Sequence, residues 1–330
     1  MSLIDDIKKL RNLTGAGLVD CKKALLESGN DMEKAKELIR KRGQAIAAKR
    51  EDRAAAEGVA LGKADGDFAA IVALKCETDF VASNEKFVAL TKSILDVAVA
   101  NKVKSLDELK ETNMDGKTVA EQITALSGIT GEKMELGGYE FLSAPSVSVY
   151  NHFNKKLSVL VAFNKVGDAE VEKEIAMQVA TSNPIAATRE QISKETIDQE
   201  YQVAVDKTKA EQVEKAVANA LKKAGFNPYY CATEEHQDEA IRKGYMTEEQ
   251  VAEAKKIMAD TAEQKLASMP AQMIEKIAEG RINKFYQQNV LMEQPYEADT
   301  TNKMTIAEFL AKSDKELKAI DFKRVNLNVD

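Results

Sequence analysis

Two apolar runs constrain this chain more than any other feature in it. Phe68 to Leu74 and Leu157 to Phe163 are dense in strand-forming residues, and both occur in the same local setting. Ahead of the first, Val59 and Leu61 lie on an extended segment, and Asp65-Gly66 supplies a turn, so residues 57 to 80 read as a hairpin. A helical pattern follows from about Asn84 to Ala100. Ahead of the second run, Pro145 to Tyr150 reads as a strand and Asn151 to Lys156 as a turn. After it, Val166-Gly167-Asp168 turns into a helix marked by Val171, Ile175, Val179 and Ala180, ending at Asn183-Pro184. Strand, turn, strand, helix thus occurs twice, about 90 residues apart, which makes a duplicated α+β unit rather than a solenoid. Between the copies, residues 101 to 117 read as charged and irregular, Thr118 to Leu126 as a short helix and Tyr139 to Leu142 as a short strand.

Three short helices are expected in residues 1 to 43. Leu3, Ile4, Ile7 and Leu10 share a face of the first, and Thr14-Gly15-Ala16-Gly17 breaks it. Leu18, Cys21, Ala24 and Leu25 line the second, which Gly29 ends. Asn30 with Glu33 suggests a capping box for the third, and Gly43 sits where a C-terminal glycine belongs. So small a core is marginal by itself, and modules of this size exist to bind something. Farther on, Ile192, Ile197, Tyr201, Val205, Val213, Val217 and Leu221 mark a long helical stretch that stops at Gly225-Phe226-Asn227-Pro228. A second stretch runs from Thr247 through Val251, Ile257 and Leu266, is interrupted by Pro270, and continues to Phe285. Two such stretches around a break predict an antiparallel coiled-coil hairpin. Ile306 to Leu310 reads as a short helix, and Val325, Leu327 and Val329 alternate as a strand.

Composition removes several classes of function. At 330 residues, two or three domains are expected. The net charge of −7 lacks the basic footprint of a general nucleic-acid binder. Arg40-Lys41-Arg42 and Lys49-Arg50 do form a basic run through residues 40 to 53, read either as a solvated helix and linker or as an RNA or ribosome contact. No apolar run is long enough to span a membrane, and Met1 to Asp6 lacks the basic start and apolar region of a signal peptide. Cys21, Cys76 and Cys231 are odd in number and far apart, which suggests reduced thiols in a cytoplasmic protein. Neither His152 nor His236 forms metal-ligand spacing with a cysteine, and no local motif of an enzyme occurs.

The chemistry-bearing stretch is Cys76-Glu77-Thr78-Asp79-Phe80-Val81-Ala82-Ser83-Asn84, a strand-to-helix connection. Phe80 either tucks under the following helix or stands out as an aromatic wedge for a partner. Thr78-Asp79-Phe80-Val81-Ala82 closely resembles the signature of bacterial elongation factor Ts. Leu10-Arg11-Asn12-Leu13-Thr14-Gly15-Ala16-Gly17 and Asp20-Cys21-Lys22-Lys23-Ala24-Leu25 resemble that family's N-terminal pattern, with Leu18-Val19 where it has two methionines. Ile192 to Val205 and Ile274 to Phe285 resemble its coiled-coil arms, and Leu291-Met292-Glu293-Gln294-Pro295 the stretch after them.

The resemblance implies an α+β fold in parts: a ubiquitin-associated-like three-helix module over residues 1–50, a core N-subdomain over 55–143, a core C-subdomain over 144–188 and 287–330, and the hairpin over 189–286. The region of about 207–268 is an insertion relative to the family's short connection. It implies a cytoplasmic guanine-nucleotide exchange factor for elongation factor Tu, a binding protein without bond chemistry, metal or cofactor. Thr78, Asp79, Phe80 and Val81 would disturb the partner's magnesium site. His152, after Tyr150-Asn151, would pack on the partner beside Phe80, and Leu18 and Val19 would give apolar contacts, core packing being their alternative. Ser158 stands where the family has glycine, and the turn before it is one residue longer. No nucleic acid and no membrane is implied as partner, and a dimer of heterodimers is left open. The competing class is a ribosome- or RNA-associated adaptor using residues 40 to 53; an enzyme with dispersed catalytic residues is a third.

Overall fold

The computed structural model describes residues 2–299 and 304–328, and its contacts divide the chain into two units. One holds residues 1–187 and 291–330, the other 188–290. The first unit opens with α1 (Leu3–Thr14), α2 (Leu18–Glu27) and α3 (Met32–Ala48), packed around Leu10, Cys21, Ala24, Leu25 and Ala35. Ser2 caps α1 through a reciprocal box with Asp5. Two local expectations are corrected here. Asn30 does not cap α3: it follows Gly29 into the left-handed region, at φ 64°, and its amide donates to Asp6 Oδ2 at 2.9 Å. The cap is Asp31, whose Oδ1 accepts from the N–H groups of Glu33 and Lys34 at 3.0 and 3.1 Å; its charge complements the positive helix end. Nor does Gly43 end α3, which runs on to Ala48.

The first half of the repeat comprises β1 (Glu57–Asp65), β2 (Phe68–Cys76), α4 (Asp79–Ala82), α5 (Glu85–Ala100), α6 (Leu106–Glu111), β3 (Asn113–Met114), β4 (Lys117–Thr118), α7 (Val119–Thr130) and β5 (Met134–Ser143). Strands β1, β2 and β5 form an antiparallel sheet in that order. The stretch expected to be irregular contains α6 and the β3–β4 pair. Helix α6 is held by its Ser105 cap and by burial of Leu109 rather than by any periodic stripe. Gly43 in α3 meets Gly128 in α7, where a Cβ on Gly128 would lie 2.3 Å from Gly43 Cα. Both positions are glycine because the two helix backbones touch there.

After β6 (Ser146–Asn151), β7 (Leu157–Phe163) and α8 (Ala169–Ser182), the chain enters the second unit. That unit is all helical: α9 (Lys194–Lys223), α10 (Pro228–Cys231), α11 (Glu234–Arg242), α12 (Glu248–Ala267) and α13 (Ala271–Asn289). Helix α9 has 30 residues, a length of about 45 Å. Both α12 and α13 pack along it, the break between them falling before Pro270, and Arg281 of α13 pairs with Glu211 of α9 at 2.6 Å. The far end has its own small core of Leu221, Cys231, Ala240, Met246, Val251 and Ala254.

The return to the first unit supplies α14 (Ile306–Ser313) and β8 (Ala319–Asn326), and the second sheet has the order β6-β7-β8. Strand β8 begins earlier than its apolar alternation suggests, because Asp321, Lys323 and Arg324 interrupt that signal; Val329 lies outside the described residues. Burial now explains the two apolar runs. On β2, Phe68, Ala70, Val72 and Leu74 face the core shared with α5 and α7, whereas Ala69 and Ile71 face the other way. On β7, Val159, Val161 and Phe163 face the core shared with α8, while Leu160 and Ala162 face the other way. The other faces meet each other, with Leu142, Ala144 and Val147 between them. A strand covered on both faces has no polar side to show, so it reads as an unbroken apolar run.

Candidate functional site

The connection after β2 is not a plain loop. It contains the single-turn helix α4, and that turn is braced from below. Buried Cys76 donates from Sγ to the Thr78 carbonyl at 3.2 Å, and burial pushes its thiol up to about 12, so it stays protonated and inert. Thr78 caps α4, its Oγ1 accepting from the Val81 N–H at 3.4 Å. The same hydroxyl donates to Glu132 Oε1 at 2.6 Å, and the Thr78 N–H donates to Glu132 Oε2 at 3.1 Å. Glu77 accepts from the Lys133 N–H at 2.7 Å, from Arg53 at 3.0 Å and from Arg50 at 3.2 Å. The Lys133 N–H, then the two guanidinium groups, hold its carboxyl down at about 2. The inner side of α4 is docked, with Ala82 buried and Val81 packed on the first core. The outer side carries Asp79 and Phe80, and Phe80 is 84% exposed. The ring is therefore not tucked under α5, whose N-cap is Asn84.

A second braced turn lies between β6 and β7. Asn151 exchanges hydrogen bonds with Gly62 of β1, accepting from its N–H at 2.7 Å and donating to its carbonyl at 2.8 Å. Ser158, which stands in the family's glycine position, is buried, and its hydroxyl donates to Asn151 Oδ1 at 2.8 Å. The Ala60 N–H donates to the Lys155 carbonyl at 2.7 Å, and Lys156 pairs with Glu57 at 2.7 Å. His152 is half-buried, its Nδ1 2.9 Å from the Tyr150 hydroxyl. Its ring lies 4.4 Å from that of Phe153, which is 87% exposed. Sequence reasoning passed over Phe153; the available signal was a large ring in a polar turn, the same signal that marks Phe80. Glu57, the partner of Lys156, pairs in register with Cys76, so β1 links the two braced turns.

Leu18 and Val19 are the first two residues of α2, and both point to solvent rather than into the three-helix core, at 49% and 66% exposed. The basic run is largely neutralised within the chain. Arg40 pairs with Glu37, Arg42 with Glu27, and Arg50 and Arg53 with Glu77. Among the described residues no group of three or more His, Cys, Asp or Glu is placed to hold a metal ion, and no helix is long and apolar enough to cross a membrane.

Two bare aromatic rings on rigidly held turns and two bare aliphatic side chains on the small helical module are candidate anchors for another macromolecule. The scaffold is that of an α+β protein, and its exposed anchors make it a candidate binding protein. The family model described as elongation factor TS matches residues 77–230 and 204–328. Elongation factor Ts of Bacteroides thetaiotaomicron is 51% identical over 326 residues, covering 98% of each chain. That of Parabacteroides distasonis is 52% identical over the same length, and that of Porphyromonas gingivalis 40% identical over 328 residues. The chain belongs to the elongation factor Ts family. The long hairpin, which looks like an insertion beside the family's shorter pattern, lies within the region aligned with these relatives.

Proposed function

We propose that this chain binds elongation factor Tu and speeds release of its GDP, with Thr78 to Val81 as the element that disturbs the partner's magnesium and phosphate site. The carrying observation is the exposure of Phe80 on a turn held by Glu132 and Glu77. Such a ring enters a partner with little ordering cost, because its backbone is already fixed. His152, Phe153, Leu18 and Val19 extend the contact. The work is differential binding. The exchanger stabilises the empty partner more than the nucleotide-bound one, and by reciprocity incoming nucleotide expels the exchanger. An acceleration of about a thousandfold requires roughly 4 kcal/mol. Burial of one Phe side chain supplies about 1.5–3 kcal/mol. Displacing Mg²⁺ supplies the rest, since it leaves the diphosphate charge unscreened.

An RNA-associated role through residues 40 to 53 has weaker support, because Arg40, Arg42, Arg50 and Arg53 are already engaged with carboxylates. The test is a titration of the protein against elongation factor Tu loaded with fluorescent GDP. Dissociation should accelerate and saturate. No acceleration at any concentration rejects the proposal.

A further inference from the structure

A four-residue helix cannot hold its own direction, since one turn of helix is unstable in isolation. The orientation of α4 must come from outside it. The β2–β5 ladder ends at the pair Cys76 and Met134. Just beyond it, the neighbours Glu77 and Thr78 face the neighbours Glu132 and Lys133. Each side offers a carboxylate to the other: Glu132 takes the N–H and O–H of Thr78, and Glu77 takes the N–H of Lys133. A carboxylate gripping two donors of one residue fixes its rotation as well as its position. Arg50 and Arg53, from the segment after α3, close on the outer side of Glu77.

We propose that Glu132 and Glu77 are positioning residues: they form a reciprocal clamp that holds Phe80 in its outward pose, and Arg50 and Arg53 tie that clamp to the three-helix segment. The consequence for exchange rests on the reading of Phe80 given above; the effect on the ring itself does not. Loss of Glu132 leaves the Thr78 hydroxyl and N–H without their fixed acceptor, so α4 rotates on its apolar side and the ring samples a wider cone.

The chain contains no tryptophan, so Phe80→Trp in the full-length protein gives a single fluorescent reporter at the site. Time-resolved anisotropy should show wider, faster indole motion when Glu132→Gln or Thr78→Val is added, and no change with Thr78→Ser, which keeps the hydroxyl. The Thr78 pair decides the matter if Glu132→Gln fails to fold. With Phe80 in place, Glu132→Gln should lower the maximal rate of GDP release about tenfold, as misplaced catalytic geometry does. The half-saturating concentration should stay within about threefold, and no further loss should appear on a Phe80→Ala background, since residues acting as a unit are not additive. Unchanged indole motion in both Glu132→Gln and Thr78→Val overturns the clamp. So does a full tenfold loss on the Phe80→Ala background, which marks a merely structural role. If indole motion widens as expected while the unaltered protein releases no GDP, the clamp stands and the exchange reading fails.

Discussion

Among the described carboxylates, Glu77 is held far below its ordinary value. Its carboxyl ionises at about 2 instead of the ordinary 4.5, so the stability it contributes is fully present above pH 4.5 and is lost as pH falls through 2. Denaturant midpoints of the natural chain and of Glu77→Gln should therefore differ at pH 6 and converge as pH drops from 4.5 toward 2. A gap that stays constant over that window removes the carboxylate from the account. At the second turn, Phe153→Ala should raise the half-saturating concentration for elongation factor Tu about fivefold, the effect of truncating an aromatic anchor, with little change in melting temperature because the ring is solvated. Thr78-Asp79-Phe80-Val81 stood out in the sequence through its motif, and the exposure of Phe80 agrees with the wedge reading over the tucked one. The bracing was not. Thr78 and Glu132 are 54 residues apart, and nothing local to either announces the other. Phe153 escaped notice because an aromatic in a turn carries the same symbol whether it packs or protrudes.

Among the elements, the paired strand-turn-strand-helix units were readable because β2 and β7 are buried on both faces and so keep an uninterrupted apolar signal. Helix α6 was not, since a cap and one buried leucine hold it. Gly43 shows a subtler limit. A glycine that ends a helix and a glycine at a helix crossing look alike in sequence, and only the contact with Gly128 separates them. That contact gives a prediction: Gly128→Leu should destabilise the protein by about 1–3 kcal/mol, as forced overpacking does, because the neighbouring atoms are backbone and cannot turn aside. A melting temperature equal to that of the natural chain would contradict the crossing. Deleting residues 1–50 should leave the remaining core folded, since the first core draws on none of them, but weaken binding to elongation factor Tu. Aggregation of the remainder in sedimentation would show instead that α3 is needed to cover α7.

At the scale of the whole molecule, the chain combines a unit with two three-stranded sheets, which carries Phe80, Phe153, Leu18 and Val19, with a helical unit that has its own small core. Replacing Lys207 to Ser268 by a short turn should therefore leave GDP release nearly intact, with a half-saturating concentration changed by less than about tenfold. Loop closure depends weakly on length, and the lost Glu211–Arg281 pair is a partly exposed one of small worth. A larger rise, with helicity retained by circular dichroism, would assign the exposed Tyr229 and Tyr245 of the far end to the binding surface. The central claim is that a bare, braced ring is one of the levers that drive exchange. It is tested most directly by stopped-flow release of fluorescent GDP from elongation factor Tu with saturating Phe80→Ala. The account predicts a fall in maximal rate of about tenfold or more, from loss of one buried aromatic contact, with the melting temperature unchanged because the ring is 84% exposed. A maximal rate equal to that of the natural chain would contradict it.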